Sequence, residues 1–259
     1  MKISIITVFF NSISTLKKTL NSINKQNYDN IEKIWIDGGS KDGTVKFLNS
    51  KKDKNTIFIS EKDKGIFDAM NKGIQRAKGE IVGFLHSDDF YSRSDIINKI
   101  ASTFISNNKI NLIYGDLLYV KKKNIKKTIR FWRAENNTND NIKNARFYIQ
   151  KLENGWMPPH PTVFIRKNFL NKIGYFNIKY KISSDYDFIV RCFTSKYLFA
   201  KYLPYKYIHM RTGGNSNKSI INLLKKLRED YIIAKSYNLP GMYTVLMKNL
   251  SKLNQFFVK

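Results

Sequence analysis

Residues 60–89 read SEKDKGIFDAMNKGIQRAKGEIVGFLHSDD, and this stretch decides the fold. Residues 66–77 have the apolar spacing of a helix, and the short apolar run over 80–85 is typical of a buried strand. Asp88 and Asp89 follow that strand directly. Open α/β sheets bind ligands beyond the carboxyl ends of their strands, where paired carboxylates can hold a divalent cation and a diphosphate. The stretch favours a nucleotide-using transferase, although Ser-Asp-Asp also suits a plain turn or a helix cap.

The rest of the first half repeats this alternation of strand and helix. Runs of β-branched and aromatic residues predict strands, and short polar segments before the apolar periodic stretches predict helix starts. The predicted strands cover residues 2–10, 31–36, 56–60, 80–85 and 111–120. The predicted helices cover 66–77, 95–105, a stretch from about 43, and a stretch that is capped within 11–14 and runs to about 25. This order predicts an α/β fold with a mostly parallel, Rossmann-like sheet flanked by helices.

The pattern changes after residue 120. Residues 121–133 carry five lysines and two arginines among aromatic residues, without an acid. A strand over 162–165 and a helix over 183–193 are predicted next. Two amphipathic helices, separated by the Pro240-Gly241 pair, should close the chain.

The chain is strongly basic, with a formal net charge of +26 over 259 residues. Such a charge suits nucleic acid, an anionic membrane surface or an anionic substrate, and lysine-rich solvated faces would produce it equally well. Cys192 is the only cysteine, so an intrachain disulfide is excluded and a reducing compartment fits. Because no signal peptide and no bilayer-spanning segment is evident, we expect a cytoplasmic location.

Four motifs read together resemble the family-2 glycosyltransferases. They are SIITVFFN at 4–11, WIDGGSKDGT at 35–44, the 60–89 stretch, and SSDYD at 183–187. The resemblance covers roughly residues 1–215. It implies the GT-A fold and the transfer of a sugar from a nucleotide-sugar donor with inversion at the anomeric carbon, and it leaves the sugars open.

By this resemblance, one group of residues holds the nucleotide. Asp37 would accept a hydrogen bond from the uracil ring, and the glycines after it would let the backbone approach the ring. Thr7 and Phe9 would line the uridine pocket, and Asp63 would lie against the nucleotide. The alternatives are a plain Asp-Gly-Gly-Ser turn for Asp37 and an ordinary core position for Thr7 and Phe9.

A second group implied by the resemblance serves the donor and its metal. Asp68 and Asn71 share the polar face of the predicted helix and are assigned to the donor site, with a solvated helix face as the alternative. Asp88 would contact the ribose, and Asp89 would ligate Mn²⁺ or Mg²⁺. A cation is needed because the leaving UDP develops negative charge on its β-phosphate.

A basic segment near residue 210 is a further candidate for the diphosphate. His209, Arg211 and residues 213–216 are predicted to form a loop that closes over it, with His209 as an additional metal ligand. A flexible linker before the last helices fits the same residues.

Asp185 matches the general base of the family, which takes the proton of the acceptor hydroxyl as that oxygen attacks C1. Ser184 stands where the family often has a glutamate, and a helix cap is the structural alternative for Asp185. His160 falls where the family often has a histidine and is assigned to the acceptor. A lone histidine is, however, more often structural.

The resemblance also gives the domain plan. We predict a GT-A catalytic domain over 1–217, with a nucleotide-sugar half over 1–120 and an acceptor half over 121–217. A helical extension over 218–259 follows. Its basic amphipathic helices suit an anionic bilayer, the catalytic domain or a second subunit in a homodimer.

The sequence therefore predicts an inverting, metal-dependent glycosyltransferase that uses a UDP-sugar. The acceptor would be a glycan or a polyprenyl-diphosphate-linked glycan at the inner face of the cytoplasmic membrane, in the synthesis of O-antigen or capsule. One alternative is a basic nucleic-acid-binding protein, against which the aspartates argue because carboxylates repel phosphate. The other is a catalytically silent sugar-nucleotide-binding subunit.

Overall fold

The computed structural model of the protein describes residues 1–135, 141–213, 220–252 and 255. Its strands are β1 Ile3–Phe9, β2 Ile31–Asp37, β3 Thr56–Ser60, β4 Ile81–Phe84, β5 Phe90–Tyr91, β6 Leu112–Lys121, β7 Asn124–Trp132, β8 Lys143–Asn144, β9 Phe164–Arg166 and β10 Phe199–Arg211. Its helices are α1 Leu16–Asn24, α2 Thr44–Lys51, α3 Ile66–Arg76, α4 Ile96–Ser106, α5 Ala145–Glu153, α6 Lys167–Ile173, α7 Ser184–Thr194, α8 Ile220–Ser236 and α9 Met242–Leu250.

These strands form one sheet, in the order β3-β2-β1-β4-β9-β6-β10-β5. β3, β2, β1 and β4 run parallel, and β9 runs antiparallel between β4 and β6. β10 is parallel to β6, so β1, β2, β4, β6 and β10 all point the same way. The predicted α/β sheet flanked by helices is confirmed, and the carboxyl ends of these five strands lie at one edge.

The parallel strands are buried because helices cover both faces of the sheet, as their nearly continuous apolar sequences require. Every residue of β1 is buried. Ile6 and Val8 belong to one core cluster, which includes residues of α3 and α7, whereas Ile3 and Ile5 belong to another, which includes residues of α4. This double burial fixes β1 as the central support of the loops that follow it.

The strand β10 contradicts the loop that the sequence suggests near residue 210. It spans 13 residues and pairs with β6 and β5. Pro204 lies where the register shifts between Tyr202 and Lys206, and such an irregularity is one of the few places where a strand tolerates proline. His209 and Arg211 are therefore held in the sheet, and residues 214–216 of the expected loop lie outside the described residues.

The two C-terminal helices pack on the preceding part of the chain. Glu229 of α8 accepts backbone N–H bonds from Lys181, Ile182 and Ser183, at 2.8–3.0 Å, just before α7. Gly155 has a φ of +74°, and a Cβ there would lie 2.1 Å from the backbone nitrogen of residue 248 in α9. The predicted domain boundary at 217/218 stays a prediction. In the described ranges no helix has the length and hydropathy of a bilayer span.

Candidate active site

The loops that follow β1, β2 and β4 are hydrogen-bonded to one another. The backbone N–H of Asn11 donates to Ser40 Oγ at 2.7 Å, and the backbone N–H of Lys41 donates to Asn11 Oδ1 at 2.9 Å. Ser12 Oγ lies 2.8 Å from Ser87 Oγ. These contacts hold the loops with the predicted nucleotide and metal carboxylates at the same edge of the sheet.

Asp37 is fully buried at the end of β2, where its own loop uses its carboxylate. Oδ2 accepts hydrogen bonds from the backbone N–H groups of Gly39 and Ser40, both at 2.9 Å, and from the Ser60 hydroxyl at 2.8 Å. Oδ1 accepts a hydrogen bond from the Ser40 hydroxyl. The carboxylate thus fixes the turn, so a contact with uracil would have to use the remaining acceptor capacity of Oδ1.

Asp63 lies against the same turn. Its Oδ1 accepts a hydrogen bond from the backbone N–H of Gly65 at 2.8 Å. A Cβ on Gly38 would lie only 2.3 Å from Asp63 Oδ2, so the close approach of the two loops depends on a glycine at position 38. The loops that carry Asp37 and Asp63 form one unit at the edge of the sheet.

Phe9 does not line an open pocket, which corrects its assignment to the nucleotide site. Its buried ring packs edge-on against Trp35, with 6.4 Å between the ring centroids. Thr7 is also buried, and its hydroxyl lacks a hydrogen-bond partner in the part of the chain that the structure describes. Phe10, the residue directly after β1, is 64% exposed, and it was not among the site residues predicted from the sequence. An aromatic residue directly after a buried strand was the signal that could have identified it.

Asp68 and Asn71 have structural partners, and their assignment to the donor site stays a prediction. Asn71 Oδ1 accepts the backbone N–H of Phe176 and its Nδ2 donates to the backbone carbonyl of Phe176, both at 2.9 Å. Asp68 Oδ2 accepts the backbone N–H of Lys64 at 2.9 Å, next to the start of α3. These side chains brace α3 against neighbouring backbone.

Asp89 is fully buried just beyond β4, and neither of its carboxylate oxygens has a hydrogen-bond partner of normal length among the described residues. Burial, and then the charge of Asp88, raise the pKa of Asp89 well above its usual range, whereas the backbone N–H and guanidinium of Arg211 lower it. The Arg211 guanidinium donates to the backbone carbonyl of Asp88 and lies 5.2 Å from the ring centroid of Phe90. A buried carboxylate that is left unpaired is costly, so its surroundings fit a cation.

A divalent ion at Asp89 would find only part of its ligand shell in the described part of the protein. Within the described ranges, no three His, Cys, Asp or Glu side chains cluster in a way that could hold a metal ion. The ring of His209 packs edge-on against Phe90, with 5.1 Å between centroids, so this geometry does not support His209 as a ligand. An ion at Asp89 would take its other oxygens from phosphate and water, which is usual for Mg²⁺.

Asp185 lies in the first turn of α7. Burial raises the pKa of Asp185, while the charge of Lys248 lowers it. On β6, burial raises the pKa of Tyr119 to about 12; the guanidinium of Arg130 opposes this rise, and the charges of Asp89 and Asp185 add to it. Asp89 and Asp185, which are distant in the chain, thus both raise the pKa of Tyr119, a residue that the sequence did not single out.

His160 is buried among aromatic rings. Its ring centroid lies 5.4 Å from that of Phe84, 5.3 Å from that of Phe176 and 6.3 Å from that of His86. Burial, with a smaller effect of His86, lowers the pKa of His160 to about 3, so the ring is neutral. Its Nε2 has no partner in the part of the chain described, and its contact with an acceptor stays a prediction.

Comparison with known sequences identifies relatives over most of the chain. Residues 4–174 match the family described as Glycosyl transferase family 2. The PGL/p-HBAD biosynthesis glycosyltransferase of Mycobacterium tuberculosis (strain ATCC 25177 / H37Ra) is 27% identical over 229 residues, which are 86% of this chain and 83% of the relative. An uncharacterized glycosyltransferase of M. tuberculosis (strain ATCC 25618 / H37Rv) is 30% identical over 192 residues, 73% of this chain and 68% of the relative.

Solved structures show the same fold. S. aureus TarS in complex with UDP has a TM-score of 0.65 at 18% identity, covering 99% of this chain and 72% of that one. The TarS complex with UDP-GlcNAc has a TM-score of 0.65 at 20% identity, covering 99% and 73%. The mannosyltransferase PcManGT from Pyrobaculum calidifontis, in complex with GDP-Man and Mn²⁺, has a TM-score of 0.60 at 14% identity, covering 95% and 68%. The chain belongs to glycosyl transferase family 2 and is a glycosyltransferase with the GT-A fold.

Proposed function

We propose that the protein is an inverting, metal-dependent glycosyltransferase that transfers a sugar from a UDP-sugar. The observation that carries the proposal is the fully buried carboxylate of Asp89, whose oxygens have no hydrogen-bond partner of normal length among the described residues and whose pKa the charge of Arg211 lowers. The TarS complexes with UDP and UDP-GlcNAc support a uridine donor, and the PcManGT complex supports a divalent cation.

The donor would lie along the carboxyl edge of the sheet. The loops of Asp37 and Asp63, together with the exposed ring of Phe10, would surround the uridine, and a contact with the buried Thr7 stays a prediction. Asp88 would contact the ribose. Asp89 would hold Mn²⁺ or Mg²⁺, which when bound neutralises the negative charge that develops on the β-phosphate.

During transfer, Arg211 would stabilise negative charge and Asp185 would accept a proton. Arg211, held by the carbonyl of Asp88 and the ring of Phe90, places a fixed positive charge beside the diphosphate. The acceptor hydroxyl oxygen bonds to C1 as the bond from C1 to the phosphate oxygen breaks, and the electron pair leaves with UDP. The hydroxyl proton passes to Asp185, whose raised pKa makes its carboxylate a stronger base. A single displacement of this kind inverts C1.

A UDP-release assay tests this proposal. The purified protein is offered UDP-GlcNAc, UDP-glucose or UDP-galactose together with a polyprenyl-diphosphate-linked sugar as acceptor, each with Mn²⁺, Mg²⁺ or EDTA, and GDP-mannose with a GDP readout serves as the comparison donor. The anomeric configuration of the new glycosidic bond is read by NMR. We expect metal-dependent release of UDP and an inverted product. UDP binding without turnover of any donor would support the silent subunit, and salt-sensitive DNA binding without a response to UDP would support the nucleic-acid-binding alternative.

For the acceptor we propose a surface glycan or its lipid-linked precursor, as in O-antigen or capsule synthesis. The support is the relative at 27% identity, which is a PGL/p-HBAD biosynthesis glycosyltransferase. The choice among surface glycans rests with acceptor assays.

We also propose that the outward face of α8 and α9 contacts an anionic membrane at the cytoplasmic side. Large apolar side chains are exposed on both helices, among them Ile220, Ile221, Leu224, Met242 and Leu246. The only acids of residues 218–259 are engaged inwards: Glu229 holds backbone N–H groups before α7, and Asp230 is buried beside two lysines.

The outward face of α8 and α9 is therefore apolar and basic. It would repel an identical copy and attract anionic lipid. Flotation with vesicles of phosphatidylglycerol, and not with vesicles of phosphatidylcholine alone, is the expected result. If the protein forms a concentration-dependent dimer and binds neither kind of vesicle, the outward face of α8 and α9 is a homodimer interface and the membrane contact is wrong.

A further inference from the structure

A cavity of about 480 Å³ lies between β7, α5 and α9. Aromatic side chains form much of its wall: Phe131, Trp132, Phe147, Tyr148 and Trp156. Trp156 and Tyr148 are stacked, with 5.2 Å between their ring centroids and 24° between their planes. Flat aromatic surfaces of this kind suit the apolar C–H face of a sugar ring.

The same cavity carries an excess of positive charge. Arg133, Lys143, Lys248 and Lys252 line it, and Glu135 is the one acid among its described lining residues. Glu135 is already neutralised: Oε1 accepts a hydrogen bond from the Tyr114 hydroxyl at 2.8 Å, and Oε2 forms an ion pair with Lys151. Lys248 is paired with Asp230, whereas Arg133, Lys143 and Lys252 have no acidic counterpart on the cavity wall within the described ranges.

One wall of the cavity adjoins the candidate active site. Lys248 Nζ lies 2.9 Å from Asp230 Oδ2 and 3.3 Å from the ring centroid of Tyr186, the residue after Asp185. Gln255, which also lines the cavity, accepts a hydrogen bond from Arg130 Nε at 2.6 Å.

This connection extends to Tyr119 on β6, whose pKa is raised by the charges of Asp89 and Asp185. The guanidinium of Arg130 lies 4.7 Å from the ring centroid of Tyr119. The cavity is thus connected through Lys248 to Tyr186, the neighbour of Asp185 in the chain, and through Gln255 and Arg130 to Tyr119.

We infer that this cavity binds an anionic sugar unit of the acceptor, one that bears a phosphate or a carboxylate. The inference deepens the proposed glycosyltransferase function and rests on it. A neutral sugar could use the aromatic wall but would leave the cavity cations partly desolvated without a counter-charge, which is unfavourable. Burial already lowers the pKa of Lys252 to about 7, and a bound anion would favour its charged form. An anion would pair with these cations through charge-assisted hydrogen bonds.

Tryptophan fluorescence provides a direct test, because two of the three tryptophans, Trp132 and Trp156, line the cavity and Trp35 lies in a separate core cluster. The protein, saturated with UDP and Mg²⁺, is titrated with glucose 1-phosphate, glucuronate, inorganic pyrophosphate and methyl glucoside. We expect a saturable change in emission with the anionic sugars at concentrations at least tenfold lower than with methyl glucoside.

Two substitutions and a matched control assign the binding to this cavity. Arg133→Gln and Lys252→Gln should each weaken binding of the anionic sugar at least tenfold. Lys46→Gln removes the same charge from an exposed position on α2, near the opposite end of the sheet, and should change nothing. Melting temperatures with and without UDP establish separately that each variant is folded and that the donor site works.

Each outcome of the titration either identifies the kind of anion or overturns the inference. Preference for glucose 1-phosphate supports a phosphorylated sugar, preference for glucuronate supports an acidic sugar, and pyrophosphate binding as tight as glucose 1-phosphate points to the diphosphate of a lipid-linked acceptor. Equal affinity for methyl glucoside, or anion binding that both cavity variants leave unchanged, overturns the inference. Loss of UDP-induced stabilisation in the wild-type protein would instead count against the donor site.

Discussion

Asp37 and Asp89 follow the two strands that flank β1, and both are fully buried. Their hydrogen bonding is nevertheless opposite. Asp37 accepts hydrogen bonds from two backbone N–H groups and two hydroxyls of its surroundings. Asp89 accepts none of normal length among the described residues, and its pKa is raised by burial.

The difference teaches how to separate structural from functional carboxylates at one edge of a sheet. A buried acid with its acceptor sites filled stabilises a turn, because the hydrogen bonds replace those that water would make. A buried acid without them destabilises the fold unless something else supplies positive charge. Position and residue type are alike in the two cases, and only the partners distinguish them.

The largest expected effect is that of Asp89→Asn on transfer. We expect the rate of UDP release to fall by about 10³-fold or more, since the anionic ligand proposed for the metal is removed. The melting temperature should stay the same or rise, because a neutral amide costs less to bury than an unpaired carboxylate. A rate close to wild type would contradict the functional half of the comparison.

Asp185→Asn is expected to reduce transfer by about 10²- to 10⁴-fold, the range for loss of a general base. UDP binding should persist, which separates this variant from Asp89→Asn. In the wild-type protein, activity should rise with pH as the base loses its proton, and burial places the midpoint above the ordinary carboxyl value of 3.8. A pH–rate profile with an unchanged acid limb in Asp185→Asn would count against this role.

Asp37→Asn should mainly affect stability. The amide has one acceptor oxygen where the carboxylate has two, and its NH₂ group would face N–H and O–H groups that are themselves donors. We expect this change to lower the free energy of unfolding by about 1–3 kcal/mol. A loss of this size lowers the melting temperature by several degrees in a chain of this length. Thermal unfolding of both variants tests this difference. A melting temperature that shifts in the same direction in Asp37→Asn and Asp89→Asn would contradict it.

Glu229→Gln extends the comparison to a third carboxylate, again one with filled acceptor sites. Glu229 fixes the backbone of residues 181–183, so this positioning residue should affect catalysis only through Asp185. We expect kcat to fall about tenfold, or roughly 1.4 kcal/mol, with the KM for the donor unchanged. Ser236→Ala, later on the same helix, serves as the control, and an altered donor KM in Glu229→Gln would contradict the positioning role.

The first half of the fold was readable from sequence because its parallel strands are buried on both faces and read as continuous apolar runs. β1 to β4 and the carboxylates at their ends follow from that pattern and from turn residues. β10 could not be predicted from the sequence, because Pro204 and the interspersed lysines are untypical of a strand. The register shift between Tyr202 and Lys206 accommodates the proline. The misassignment of β10 made His209 look like part of a mobile loop.

The site was only partly readable because the sequence places residues without revealing their partners. Phe9 and Phe10 are adjacent aromatics, yet one enters a core cluster and the other is exposed at the end of the strand. Asn71 looked like a polar helix face, and the partner that uses its amide, Phe176, lies 105 positions away. Contacts between distant segments decide such roles.

Calorimetric titration of UDP into wild-type protein and into Asp89→Asn, each with Mn²⁺ and with EDTA, most directly addresses the assignment of Asp89 as the cation's anchor. We predict that Mn²⁺ tightens UDP binding to the wild-type protein at least tenfold and has no such effect on the variant. An equal gain from Mn²⁺ in both proteins, or no gain in the wild type, would contradict the assignment.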